Sequence, residues 1–211
     1  MRFLTILLFI GFFACGQQSS VKKVTINPKA KKLNDSAMLI AMQDQNYEKA
    51  ISLLNQATEV DSNYATAYSN KISFGLELKH YDQALNAALK LQEIRPGNPD
   101  YYFTAGIIYE LKKDSIASKK QFTKAARLYD KILDTMYSVN KQLNMLLMNK
   151  AITLIFLGEQ RKGNEILTDL YDKQKDKTTQ EMLATYMNKP KQDIIKLWLS
   201  PITAESSPLQ Q

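Results

Sequence analysis

The chain has one cysteine, one histidine and one tryptophan in 211 residues, with only 7 glycines and 6 prolines. A lone cysteine closes no internal disulfide. A lone histidine, His80, rules out a histidine-rich metal centre and makes any Ser-His-Asp or Cys-His pair depend on that one residue. His80 stands between Lys79 and Tyr81 in a stretch that reads as a turn, where an exposed side chain is the simpler account. The sequence has no glycine-rich phosphate loop, no HExxH and no CxxC. No set of acid, base and nucleophile can be assembled from it, so no catalytic residue, metal or cofactor is expected, and the chain is not expected to be an enzyme. Scarcity of glycine and proline disfavours a many-stranded sheet and favours long helices.

Hydrophobic residues make up 45% of the chain and charged residues 23%, the balance of a globular protein. With 28 basic against 21 acidic side chains, the formal net charge is +7. Such a surplus favours anionic surfaces, whether nucleic acid or lipid headgroups. The basic residues are dispersed, as in Lys112-Lys113, Lys119-Lys120 and Arg161-Lys162, with no interleaved aromatic module. They are expected on solvated helix faces, and nucleic acid is not an expected partner.

The N-terminus reads MRFLTILLFIGFFACGQQSS. Arg2 supplies a short basic region, and residues 3–13 are apolar apart from Thr5 and Gly11. That run is too short to cross a bilayer, which takes about 20 apolar residues, and has the length of a signal-peptide core. At its end Ala14, Cys15 and Gly16 resemble the lipobox of bacterial lipoproteins, although Phe12 and Phe13 depart from the usual upstream residues. The resemblance implies cleavage before Cys15, its lipidation, and anchorage in the cell envelope. With no aspartate after Cys15, it also points to the outer membrane, facing the periplasm. Cleavage after Gly16, releasing a soluble protein, and an uncleaved anchor are the competing readings. The following GQQSSVKKVTINPKAKK reads as a tether, whose lysines add attraction to anionic headgroups or are simply solvated. The expected organisation is a signal peptide over 1–14, lipidated tether over 15–32, helical domain over 33–199 and disordered tail over 200–211.

The body of the chain repeats. Tyr47, Tyr81 and Ser115 are 34 residues apart, and so are Ala50, Ala84 and Ser118, Leu54, Ala88 and Phe122, and Ala57, Leu91 and Ala125. An aromatic, a small residue and apolar groups at this period resemble the tetratricopeptide repeat. Tyr102, Ala105, Gly106 and Tyr109 extend the likeness to a first helix, with alanine where leucine is usual, and Pro99 and Asn98 suit a helix start. In a fourth unit Asn149-Lys150-Ala151 matches Asn70-Lys71-Ile72 at a spacing of 79, which is 11 more than two periods. The apolar series Ile116, Phe122, Ala126, Tyr129, Ile132, Leu133 and Met136 keeps helical spacing, so the excess is expected in a lengthened second helix of the third unit. The resemblance implies an all-α fold: a right-handed α-solenoid of about four tetratricopeptide-like helix pairs, closed by C-terminal capping helices.

It also implies a binding groove lined by the first helix of each pair. The register places Thr66, Ser69, Ser73 and Glu77 there in the second unit, and Asp100, Phe103, Ile107 and Glu110 in the third. Asn70 matches the asparagine that holds ligand backbone in some peptide-binding members. The implied partner-binding set is Asn70, Ser73, Glu77, Phe103, Ile107 and Glu110, with Phe103 and Ile107 as apolar anchors. A carboxylate clamp is not expected, because Asp35 and Asp100 stand where basic residues would be. The first helix of unit four is apolar nearly all round and should be buried on more than one side, with the segment around Trp198 packed on it. The functional expectation is a lipid-anchored interaction or scaffolding protein of the bacterial envelope, bound to an unidentified envelope protein or peptide. The alternative is a soluble periplasmic or secreted module that holds a peptide or small ligand in the groove.

Overall fold

The computed structural model describes residues 25–136 and 141–199, and among these every regular element is a helix. Cys15 and the 200–211 tail lie outside the described residues. Two compact units meet at the Pro96–Gly97 boundary. The first holds α1 (Pro28–Asp44), α2 (Tyr47–Val60), α3 (Ala65–Glu77) and α4 (Tyr81–Ile94). The second holds α5 (Pro99–Leu111), α6 (Ser115–Leu133), α7 (Lys141–Phe156), α8 (Gln160–Lys173), α9 (Lys177–Ala184) and α10 (Lys191–Leu199). Packing is strongest within α1–α2, α3–α4, α5–α6 and α7–α8, the helix pairs expected from the repeat.

Short polar residues set the starts. The Asn27, Asn46, Asn98 and Asp114 side chains each accept a backbone N–H of the first turn of the helix that follows. Pro28 and Pro99 occupy first-turn positions, where the missing N–H costs no bond. The first helix therefore begins at Pro28, within the stretch expected as a tether. Proline there starts the helix instead of interrupting it, so Lys29, Lys31 and Lys32 are helical and Ala30 is fully buried.

Each pair turns on one left-handed residue. Gln45, Lys79 and Lys113, at φ 51°, 58° and 62°, stand 34 residues apart, and Gly158 at φ 88° follows after the longer interval. Beyond the turn, Ala50, Ala84 and Ser118 are fully buried. Their small side chains let the two helices approach. A Cβ on Gly75 would lie 3.2 Å from that of Ala84, and one on Gly163 would lie 2.6 Å from the Ala151 carbonyl oxygen. Phe122 fills the remaining wedge against Gly106, where an added Cβ would meet the ring at 2.7 Å.

The lengthened second helix is present but shorter than its apolar series. α6 has 19 residues against 14 in α2 and α4, and ends at Leu133, three residues before Met136. The Thr135 hydroxyl donates to the Ile132 carbonyl at 2.8 Å, a local bond that competes with further helix. Ile116, counted with the apolar face, is 87% exposed: two residues before the fully buried Ser118, it lies on the opposite side of the helix. The extra turn of α6 carries Tyr129 and Asp130, and both reach outward to other helices: Tyr129 to Asp100 of α5, Asp130 to Lys150 of α7. Phe103, Phe122 and Phe156 of α5, α6 and α7 then meet at ring separations of 4.9–6.0 Å.

Gly163→Ala is expected to cost about 1–3 kcal/mol by overpacking, read as a lower urea midpoint at unchanged slope. Gly97→Ala, with nothing within 4 Å of the added carbon, should leave the midpoint where it is.

Candidate partner-binding face

In the first unit, α3 carries Asn70, Ser73 and Glu77. All three are half-buried. The Ser73 hydroxyl donates back to the Ser69 carbonyl at 3.3 Å, within its own helix. Burial pushes the Glu77 carboxyl above its usual range, and the Glu77 charge adds to the burial that raises the Tyr47 phenol. Asn70 donates its amide to Asn34 Oδ1 of α1 at 2.8 Å, so that donor serves as a strut between first helices. His80 is an exposed turn residue, as expected, 3.7 Å from Glu48 Oε1.

In the second unit, Phe103 and Ile107 are 6% and 4% exposed. They are core residues and not the accessible anchors implied by the register. The reason lies in the aromatic cluster: Phe156, brought in by α7, stands edge-on to Phe103 at 6.0 Å. Glu110 is positioned by a neighbour, its Oε1 accepting the Ser118 hydroxyl at 2.7 Å. The small residue that admits α6 to α5 thus also orients a carboxylate.

Asp100, at the groove end of α5, is 4% exposed. Its Oδ1 accepts the Tyr129 hydroxyl and the Asn149 amide, the latter at 3.2 Å. Oδ2 is buried with no hydrogen-bond partner among the described residues. Burial pushes the carboxyl up to about 6, against the pull of the bonds from Tyr129 and Asn149. The Tyr129 phenol is pushed well above its usual range, first by burial and then by the Asp100 charge. Asn149 is the residue aligned with Asn70, and it makes the same kind of strut to the preceding first helix. The following lysines differ in setting: burial pushes the Lys71 ammonium down, and Lys150 pairs with Asp130.

α7 is apolar nearly all round and is buried accordingly at Leu146, Met148, Ala151, Ile152, Ile155 and Phe156. Its outward side, at Leu147, Leu154 and Leu157, floors a groove of about 870 Å³ between α6 and α8. The groove rim carries both charges, with Lys119, Arg127 and Lys162 facing Glu159 and Asp169. Sequence reasoning missed this groove; leucines seven and three residues apart, at Leu147, Leu154 and Leu157, were its available signal.

The C-terminal segment folds back over the same unit. Asn188, at φ 58°, exchanges hydrogen bonds with Asn164 of α8 at 3.0 and 3.1 Å, and Gln160 donates to the Lys189 carbonyl at 3.0 Å. After Pro190, Lys191 of α10 reaches Glu110 Oε2 at 3.0 Å, and Ile194 is fully buried. The side chain of Trp198 lies outside the described residues.

These elements define a class: an array of tetratricopeptide-like helix pairs. No family model matches the sequence. It is similar to human Tetratricopeptide repeat protein 28, at 34% identity over 67 residues, which is 32% of this chain. The chain spans 3% of that protein's length. Among solved structures it is similar to PilW, described as a widely conserved type IV pilus biogenesis factor, with TM-score 0.52, 17% identity and coverage of 82% of this chain and 75% of PilW. YrrB, described as a TPR protein with an unusual peptide-binding site, matches at TM-score 0.48 and 15% identity, over 81% of this chain and 84% of YrrB. At 17% identity the likeness to PilW speaks to the fold alone.

The folded Asp100 carboxyl holds its proton more tightly than the ordinary value of 3.8. Its stabilising contribution is therefore fully present below about pH 4 and is lost as pH rises through about 6. A difference of about two pKa units corresponds to about 3 kcal/mol. Urea denaturation should show Asp100→Asn gaining on the wild type by up to about that amount between pH 4 and 7. Parallel pH profiles for the two proteins would contradict this.

Proposed function

We propose that the protein is a lipid-anchored helical-repeat protein of the bacterial envelope that holds another envelope protein or peptide on the first-helix face of its pairs. The observation that carries the reading is the α3 face, where Ser73 and Glu77 remain half-exposed at successive turns of a helix braced on both sides by α2 and α4. A rigid helix with polar side chains repeating every turn suits recognition of an extended or helical segment. The tetratricopeptide-like fold supports the same use, since arrays of this fold present such faces to partner chains.

The envelope location is supported by the leader and by the ACG sequence around Cys15. Among the described residues no helix is long and apolar enough to cross a membrane. In this reading attachment falls on Cys15. Several acyl chains on one cysteine meet the requirement for more than a single lipid signal, since one chain binds only marginally. The stretch from Gln17 to Asn27 then separates the membrane surface from α1.

Growth with radiolabelled palmitate in a Gram-negative host tests the anchor: the wild type should carry label and sediment with membranes, and Cys15→Ser should do neither. Label retained by the variant, or absent from the wild type, refutes lipidation at this residue. Affinity capture from envelope extracts tests the face, with Ser73→Arg and Glu77→Lys expected to lose the partners that the wild type retains.

A further inference from the structure

We propose that the face of α5 around Glu110 is a docking site for an amphipathic helix presenting an ammonium group and, three residues on, a branched aliphatic side chain. α10 is the protein's own copy of that ligand, and a partner helix binds by displacing it. The inference deepens the partner-binding reading above and rests on it, by naming the chemistry of the partner.

Several observations converge on this surface. Lys191 and Glu110 are 81 residues apart in sequence and pair at 3.0 Å, with only 33% and 14% of their side chains exposed. Most other ion pairs of this unit join residues three or four apart on one exposed helix. The carboxylate is held ready, because Ser118 fixes its other oxygen at 2.7 Å. Ile194 lies one helical turn beyond Lys191 and is fully buried. On the opposite side of α10, Gln192 and Lys196 are exposed, so the helix is amphipathic and turns its basic and aliphatic pair inward. Glu110 is also one of the positions that the repeat register assigns to the binding groove.

The attachment is of a kind that can be exchanged. α10 has nine residues, too few to persist as a helix in water on its own. It is joined to α9 by a turn that Asn164 and Gln160 pin independently. Loss of the Lys191 and Ile194 contacts therefore frees α10 while the turn and α8 keep their bonds. A helix with the same two side chains, supplied by another protein, finds a preorganised carboxylate and a socket already shaped for isoleucine.

The test uses the full chain and a fluorescein-labelled peptide of residues 189–199, followed by fluorescence anisotropy. Ile194→Asp expels the resident helix and is expected to raise affinity for the peptide on the order of tenfold or more over the wild type, since intramolecular competition is gone. Adding Glu110→Lys to that variant should abolish binding, and a peptide carrying Lys191→Glu should restore it. Should Ile194→Asp fail to fold by circular dichroism, Lys191→Glu in the chain removes only the tie, and it too should bind the unaltered peptide more tightly than the wild type. Affinity that does not rise in the folded variant, or that ignores the charge at residue 110, overturns the proposal. If the peptide fails while envelope partners are still captured through Ser73 and Glu77, this inference falls and the broader reading stands.

Discussion

Close approach of paired helices is the constraint on which the rest depends. Ala50, Ala84 and Ser118 sit where the second helix of each pair crosses the first, and all three are fully buried. Gly163 takes that place in the last full pair, with the Ala151 carbonyl oxygen so near that a methyl group has no room. A larger side chain at any of these positions would hold the axes apart and forfeit the dispersion contacts along both helices. The apolar residues further along, Leu54, Ala88 and Phe122, are then sized to the gap that remains. The repeat is thus a packing rule first and a sequence pattern second. This is why the aromatic at its head is dispensable at Ser115, whereas the small residue recurs in every unit.

A second constraint joins pairs to one another, and it is polar. Asn70 and Asn149 sit at one register position, and each donates its amide to an acceptor on a preceding first helix, Asn34 in one unit and Asp100 in the other. Interhelical bonds of this kind fix sliding and rotation in a way that leucine contacts do not. At Asp100 the strut has become costly. Asp100 is buried, with one oxygen lacking a partner among the described residues, and keeps its proton to a higher pH than an exposed carboxyl would. The extra turn of α6 supplies the compensation, through the Tyr129 hydroxyl and the adjoining Asp130–Lys150 pair. The extra turn of α6 therefore ties α6 to both α5 and α7.

Helix pairs, their order and their start signals were legible because each rests on local chemistry repeated at one spacing. Legibility failed where a residue's fate depends on an element far away in sequence. Phe103 and Ile107 carry the signature of exposed anchors only if nothing lies over them, and whether Phe156 does so follows from where α7 is set. The stretch around Pro28 reads as a tether in sequence because proline's meaning changes with the cap that precedes it, and Asn27 is that cap. The Lys191–Glu110 pair had no signal at all: a single lysine and a single glutamate 81 residues apart carry no periodicity. The left-handed turn residues were hidden for a different reason. Gln45, Lys79 and Lys113 are not types that favour that conformation, so it is imposed by the packing of the helices on either side.

The pinned turn before α10 sets a threshold on what can bind. With only Lys189 and Pro190 between the Asn188 latch and the first residue of the helix, Lys191 is never far from Glu110 even when it has let go. A ligand held by so short a lead competes as though present at an effective concentration on the order of millimolar or above. A free partner at cellular abundance loses that contest unless it brings further contacts or is itself held close by. Occupancy of the site would then report on neighbourhood more than on amount: a helix held beside this chain displaces α10, and the same helix in dilute solution does not.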